Sequence, residues 1–172
     1  AVGEDLRFGK DRAGDLAFTE SLGAEFGYEV VPTSTFDLAG ERVSSTRIRA
    51  SLVDADFVQA ANLLGKPFKL SGKVLKGKQL GRTIGSPTAN IALKRVKSPL
   101  HGVYAVRVSG GGLTEAPGVA NVGVRPTVND GMLANLEVHL LNFNGDLYGE
   151  RLDVEFMTKL RDEKKFDSLD GL

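Results

Sequence analysis

Hydrophobic residues recur along this chain with two different periods, and the change from one to the other falls near Lys66. Before it, Leu16, Phe18, Leu22 and Phe26 lie close to helical spacing, which predicts a helix over Asp15–Phe26 with Gly27 as its C-cap. Tyr28–Val31 reads as a short strand. Ser44 or Ser45 is placed to cap a helix running to Leu52, and Asp54 to start another with Phe57, Ala60, Ala61 and Leu64 on one face. Gly65 accepts a left-handed cap and Pro67 cannot continue a helical ladder, so that helix ends there.

After Lys66 the period falls to two, with strand candidates at Phe68–Leu75, Val103–Val108, Val119–Val122, Leu136–Leu141 and Leu152–Phe156. Asn144-Gly145 lies between two of these runs and predicts a hairpin, since both residues tolerate positive φ. A last helix is expected from Asp162 to Leu172, without a capping signal at its end and so cut short. Short strands joined by glycine-rich turns favour a closed barrel. The expected organisation is therefore a mixed α/β segment over residues 1–65 and a mainly β domain over residues 66–172.

The length, 172 residues, accommodates one domain or two small ones. Lys plus Arg (22) cancels Asp plus Glu (22), so no overall field draws the protein to nucleic acid or to an anionic membrane. Any phosphate ligand has to be held locally, and the partners expected are small molecules, with no oligomeric state assigned. The absence of cysteine excludes disulfides, thiolate zinc sites and cysteine nucleophiles and points to the cytoplasm. No apolar run approaches the roughly 18 residues of a membrane span, and Ala1-Val2-Gly3-Glu4-Asp5 is no signal peptide. A start without Met predicts a fragment.

Neither Gly-x-x-x-x-Gly-Lys-Ser/Thr nor Gly-x-Gly-x-x-Gly occurs, which disfavours an ordinary P-loop or dinucleotide site. The richest local feature is Gly77-Lys78-Gln79-Leu80-Gly81-Arg82-Thr83-Ile84-Gly85-Ser86-Pro87-Thr88-Ala89-Asn90. Its glycines let backbone amides approach phosphate beside Lys78 and Arg82, and Pro87 stiffens the turn. In extended chain Thr88 and Asn90 point the same way, so their oxygens can share a cation such as Mg²⁺, which completes its shell with water and substrate phosphates. Composition alone also accommodates a glycine-rich surface loop. In Leu136-Glu137-Val138-His139-Leu140-Leu141, alternation sets Glu137 and His139 on one face, where a strand-held carboxylate can serve as general base. An exposed strand face is the other reading. His101 is the only other histidine and makes no cluster of ligand spacing with His139. Ser44-Ser45-Thr46-Arg47-Ile48-Arg49 combines hydroxyls and arginines at a helix start, which suits either an anion site or a simple cap.

Taken in order, these segments resemble the bacterial bifunctional riboflavin kinase and FMN adenylyltransferase family, the FAD synthetases. Residues 66–172 carry Gly81, Gly85 and Pro87-Thr88-Ala89-Asn90, then Gly102-Val103-Tyr104, Asn121-Val122-Gly123 and Arg125-Pro126-Thr127. Leu136-Glu137-Val138-His139, Asp146-Leu147-Tyr148-Gly149 and Leu160-Arg161-x-Glu163-x-x-Phe166 follow. The resemblance implies a six-stranded antiparallel Greek-key barrel with a C-terminal helix, and phosphorylation of riboflavin by ATP to give FMN and ADP. It assigns nucleotide binding to Gly77, Lys78, Gly81, Arg82, Gly85, Pro87, Thr88 and Asn90, Mg²⁺ to Thr88 and Asn90, catalysis to Glu137 as base, and flavin contacts to Asn121 and Arg161.

Ser86 replaces the apolar residue common in the family before Pro-Thr-Ala-Asn, and Asn142 stands where Asp is common. Residues 1–65 resemble the tail of the adenylyltransferase, a partial nucleotidyltransferase-like α/β segment, with Ser44, Ser45, Thr46 and Arg49 as a remnant of its second phosphate motif. Its first motif is missing, so the expectation is a chain that makes FMN but not FAD. The alternative is a fragment that holds flavin or nucleotide without catalysis.

Overall fold

In the computed structural model, residues 1–75, 88–93, 98–126 and 132–163 are described, and they divide into two compact units, Ala1–Ser44 and Ser45–Leu172. Among these residues no helix is long and apolar enough to cross a membrane.

The first unit holds β1 (Val2–Gly3), a 3-10 turn (Lys10–Arg12), α1 (Leu16–Phe26), β2 (Pro32–Thr33), β3 (Asp37–Leu38) and β4 (Glu41–Arg42). Asp15 caps α1 by accepting from the Phe18 amide at 2.9 Å, and Gly27 closes it in the left-handed region at φ 74°. The helix returns the chain to pair β2 parallel with β1, which makes this unit the α/β part of the molecule. The strand expected at Tyr28–Val31 lies later, at Pro32–Thr33, because the Tyr28 amide is still bound to the Gly23 carbonyl at 3.1 Å in the helix cap. Burial in this unit is slight. Among its described residues Gly23 alone is buried, while Phe26 and Phe36 remain 68% and 66% exposed.

The second unit runs α2 (Ser45–Val53), α3 (Phe57–Leu64), β5 (Lys69–Leu75), β6 (Thr88–Ile91), β7 (Gly102–Gly110), β8 (Leu113–Pro126), β9 (Met132–Leu140) and β10 (Arg151–Arg161). Its six strands close into an antiparallel barrel in the order β10-β5-β6-β9-β8-β7, a Greek key because β6 pairs with β9 rather than with β7. Alternation along each strand sends Leu70, Val74, Val106, Val108, Val122, Leu136, Val138, Leu152 and Val154 inward, each at most 3% exposed. Full burial of side chains of this size contributes about 1.5–3 kcal/mol apiece.

α2 and α3 add Leu52, Phe57 and Ala60 to the same core. Phe57 stacks on Phe156 and meets Tyr104 edge-on, each at 5.8 Å between ring centroids. The cap of α3 is Asp56, which accepts from the Gln59 amide at 2.9 Å, rather than Asp54. Its buried face is Phe57, Ala60 and Leu63, one position before the expected Leu64, and Gly65 ends it at φ 69° as the sequence predicts.

Two other expectations change. Asn144-Gly145 forms no hairpin: β9 pairs with β6 and β8, β10 with β5 and β7, so the segment between them crosses the barrel instead of turning back on itself. The non-glycine residue with positive φ there is Asn142, at φ 53°, a conformation Asn adopts more readily than most side chains. The tight turn joins β7 to β8 through Gly110, Gly111 and Gly112. At the C-terminus, β10 extends to Arg161 and Asp162–Glu163 are not helical, while 164–172, where the last helix was expected, lie outside the described residues.

Candidate active site

The β6–β9 ladder sets Thr88 opposite His139, Ala89 opposite Val138, Asn90 opposite Glu137 and Ile91 opposite Leu136. On its other edge β9 sets Asn121 of β8 opposite Glu137 and Gly123 opposite Asn135. Ile91, Leu136, Val138, Ala120 and Val122 are buried in the barrel interior, so alternation turns the polar set outward, where it is half-buried. Asn90, Glu137 and Asn121 therefore form one row across β6, β9 and β8, with Thr88, Asn135 and His139 beside it. Directly opposed residues on one face lie about 5 Å apart between Cβ atoms.

The Asn135 amide donates to Glu137 Oε1 at 3.2 Å, which orients the carboxylate. Asn135 was missed in the sequence, although its i, i−2 spacing from Glu137 sets it on the same face. The row continues through Val103, opposite Asn121, to Arg161, the last residue of β10. The Arg161 Nη1 donates to the Asp162 carbonyl at 2.9 Å, and Lys159 pairs with Asp162 at 2.7 Å, which holds the Asp162 carboxyl below its usual range.

Asn121 Nδ2 donates to Glu163 Oε1 at 3.4 Å, and Asn121 Oδ1 is buried with no hydrogen-bond partner among the described residues. Glu163 also lies against Gly123, where an added Cβ would come within 2.5 Å of Oε1. Glu163 is a second residue of this neighbourhood that sequence reasoning did not assign.

The structure thus brings Thr88, Asn90, Glu137 and Asn121 onto adjoining strands of one barrel face and sets Arg161 in their row. Gly77, Lys78, Gly81, Arg82, Gly85 and Pro87 lie outside the described residues, as does Ser86. Ser45 and Thr46 open α2 and are exposed, as is Arg49 one turn on, while Ser44 precedes the helix half-buried. No group of three or more His, Cys, Asp or Glu side chains among the described residues is arranged to hold a metal.

Known proteins extend this picture. The riboflavin kinase family model matches residues 64–172, and the FAD synthetase model matches residues 1–47. The chain is 50% identical over 172 residues to the bifunctional riboflavin kinase/FMN adenylyltransferase of Escherichia coli K12, and 52% identical over 171 residues to that of Pseudomonas fluorescens. These alignments take in 100% and 99% of this chain but 55% of each relative, so the chain spans about half the length of the curated relatives it matches. A crystal structure described as a macrolide-efflux protein from Streptococcus pneumoniae matches with a TM-score of 0.68 and 38% identity, over 98% of this chain and 54% of that one. With a family model covering most of its length and its barrel, the chain belongs to the riboflavin kinase family.

Proposed function

We propose that this chain transfers the γ-phosphate of ATP to the terminal ribityl hydroxyl of riboflavin, giving FMN and ADP. The observation that carries the reading is the row Asn90–Glu137–Asn121, which sets a carboxylate between two amides on rigid strands, next to Thr88. Glu137 takes the proton from the hydroxyl as its oxygen bonds to the γ-phosphorus and the bond from that phosphorus to the β-phosphate oxygen breaks. Asn135 keeps Glu137 aimed. Thr88 and Asn90 contact the phosphates on the β6 side, with the glycine-rich stretch of Gly77, Lys78, Gly81, Arg82, Gly85 and Pro87 as the phosphate cradle. Asn121 and Arg161 contact the flavin.

The donor set fits Mg²⁺, which takes one or two protein oxygens and fills its shell from water and phosphates. Thr88 and Asn90 would hold the ion, and its chemistry would be to neutralise charge on the transferring phosphoryl group.

For residues 1–65 we propose descent from an adenylyltransferase module, with Ser44, Ser45, Thr46 and Arg49 as its phosphate remnant and the kinase module starting near residue 66. A cytoplasmic setting follows from these substrates. Incubation with riboflavin, ATP and Mg²⁺, followed by chromatographic separation of flavins, tests the reading: FMN is expected, and no FMN overturns it.

A further inference from the structure

We propose that Glu163 is a positioning residue: it straps the chain that leaves β10 across the end of β7 onto β8, and so holds Arg161 in the row of Glu137. The inference rests on the riboflavin kinase reading, in which Arg161 contacts the flavin, and adds to it the residue that keeps Arg161 in place.

The crossing follows from the ladders. β10 pairs with β7 through Arg161 opposite Val103, and β7 pairs with β8 through Val103 opposite Asn121. Glu163, two residues after Arg161, reaches past β7 to β8, where its Oε1 accepts from Asn121 Nδ2 at 3.4 Å. Two glycines leave room for it. At Gly102 on β7 a Cβ would lie 2.6 Å from the Arg161 carbonyl oxygen and 3.4 Å from the Asp162 Cα. At Gly123 on β8 a Cβ would lie 2.5 Å from Glu163 Oε1 and 3.0 Å from its Cδ and Oε2. Chain and carboxylate thus occupy the space that side chains at these two positions would fill.

The seat adjoins the reacting row. Asn121 stands opposite Glu137 and Gly123 opposite Asn135, so Glu163 docks on the strand next to the catalytic carboxylate. Between Arg161 and Glu163 lies only Asp162, whose carboxylate is held by Lys159 at 2.7 Å and whose carbonyl accepts from Arg161 Nη1 at 2.9 Å. One end of this short strap is therefore fixed by β10 itself, and Glu163 fastens the other. Glu163 is exposed, and exposed side chains contribute little to folding. Its loss is expected to show in the placement of Arg161 rather than in the stability of the barrel.

Gly123 provides the test, because its φ lies outside the left-handed region. Alanine there suits the backbone and displaces only the far end of the Glu163 side chain. Steady-state kinetics and thermal melts are compared for the wild type, Glu163→Ala, Glu163→Gln, Gly123→Ala and the double variant Gly123→Ala/Glu163→Ala. Glu163→Ala and Gly123→Ala are each expected to raise KM for riboflavin about threefold to tenfold, with kcat within about twofold and KM for ATP unchanged. The double variant should be no worse than either single change, since both remove one contact. Glu163→Gln keeps an acceptor for the Asn121 amide and should stay within about twofold of the wild type. The proposal is overturned by an unchanged KM for riboflavin in Glu163→Ala, by losses that multiply in the double variant, by a Gln variant as impaired as the Ala variant, or by a rise in both KM values with a lowered melt. A wild type that makes FMN while any of these holds defeats the strap alone. A wild type that makes no FMN defeats the kinase reading and this inference with it.

Discussion

Asn90 on β6 stands directly opposite Glu137 on β9, so an amide and a carboxylate share one outward face of the barrel wall. The strands that carry them are anchored from within by Ile91, Leu136 and Val138, which are buried. Inward packing therefore sets the outward geometry, and a side chain that steadies the carboxylate matters more for the rate than for the fold.

Asn135 is that side chain. Replacing Asn135 with Leu removes the hydrogen bond to Glu137 Oε1, and kcat is expected to fall about threefold to tenfold while the melting temperature stays within a few degrees. Steady-state kinetics and a thermal melt check both. An unchanged kcat would show that other contacts orient Glu137.

Gly102, the first residue of β7, has φ 119°, and a Cβ there would lie 2.6 Å from the Arg161 carbonyl oxygen. Both the backbone conformation and the close approach exclude a side chain. Gly102→Ala should cost about 2–4 kcal/mol by urea denaturation. It should also raise KM for riboflavin more than KM for ATP, because the strand end it displaces carries Arg161. A loss below about 1 kcal/mol would contradict this account.

Tyr104 is buried, and its hydroxyl donates to the His101 carbonyl at 2.8 Å and accepts from the His101 amide at 3.1 Å. Tyr104→Phe should cost about 1–3 kcal/mol near neutral pH. Burial pushes the phenol above its ordinary value, which is about 10. The folded state then keeps this proton after the unfolded chain has lost it, so the contribution is complete below the ordinary value and fades as pH climbs through the raised one. Melting of the wild type should consequently fall more steeply above about pH 10 than that of Tyr104→Phe. Parallel slopes would refute the coupling.

The strands β5, β7, β9 and β10 were legible in the sequence because each alternates several buried apolar residues with outward ones, as Leu136, Val138 and Leu140 do around Glu137. β6 was not legible as a strand: over Thr88–Ile91 only Ile91 is buried, so no alternation shows. Asn144-Gly145 misled because turn chemistry reports local preference, and strand neighbours in a Greek key are settled by packing far along the chain. The same limit applied to the site. Faces could be read from alternation, which paired Glu137 with His139 and Thr88 with Asn90. The register that joins Asn90, Glu137 and Asn121 depends on how β9 pairs with the neighbouring β8 and with β6, which is distant in sequence, and only the fold reveals it. Asn142 was marked as a departure by resemblance alone, and its left-handed backbone is a physical reason for Asn at that position.

The central claim is that Glu137 is the base for phosphorylation of riboflavin, and Glu137→Gln tests it most directly because the amide keeps the shape and removes the basicity. FMN formation from riboflavin, ATP and Mg²⁺ should fall by about a hundredfold or more while the thermal melt is preserved. Turnover at the wild-type rate by a folded Glu137→Gln protein would contradict the account.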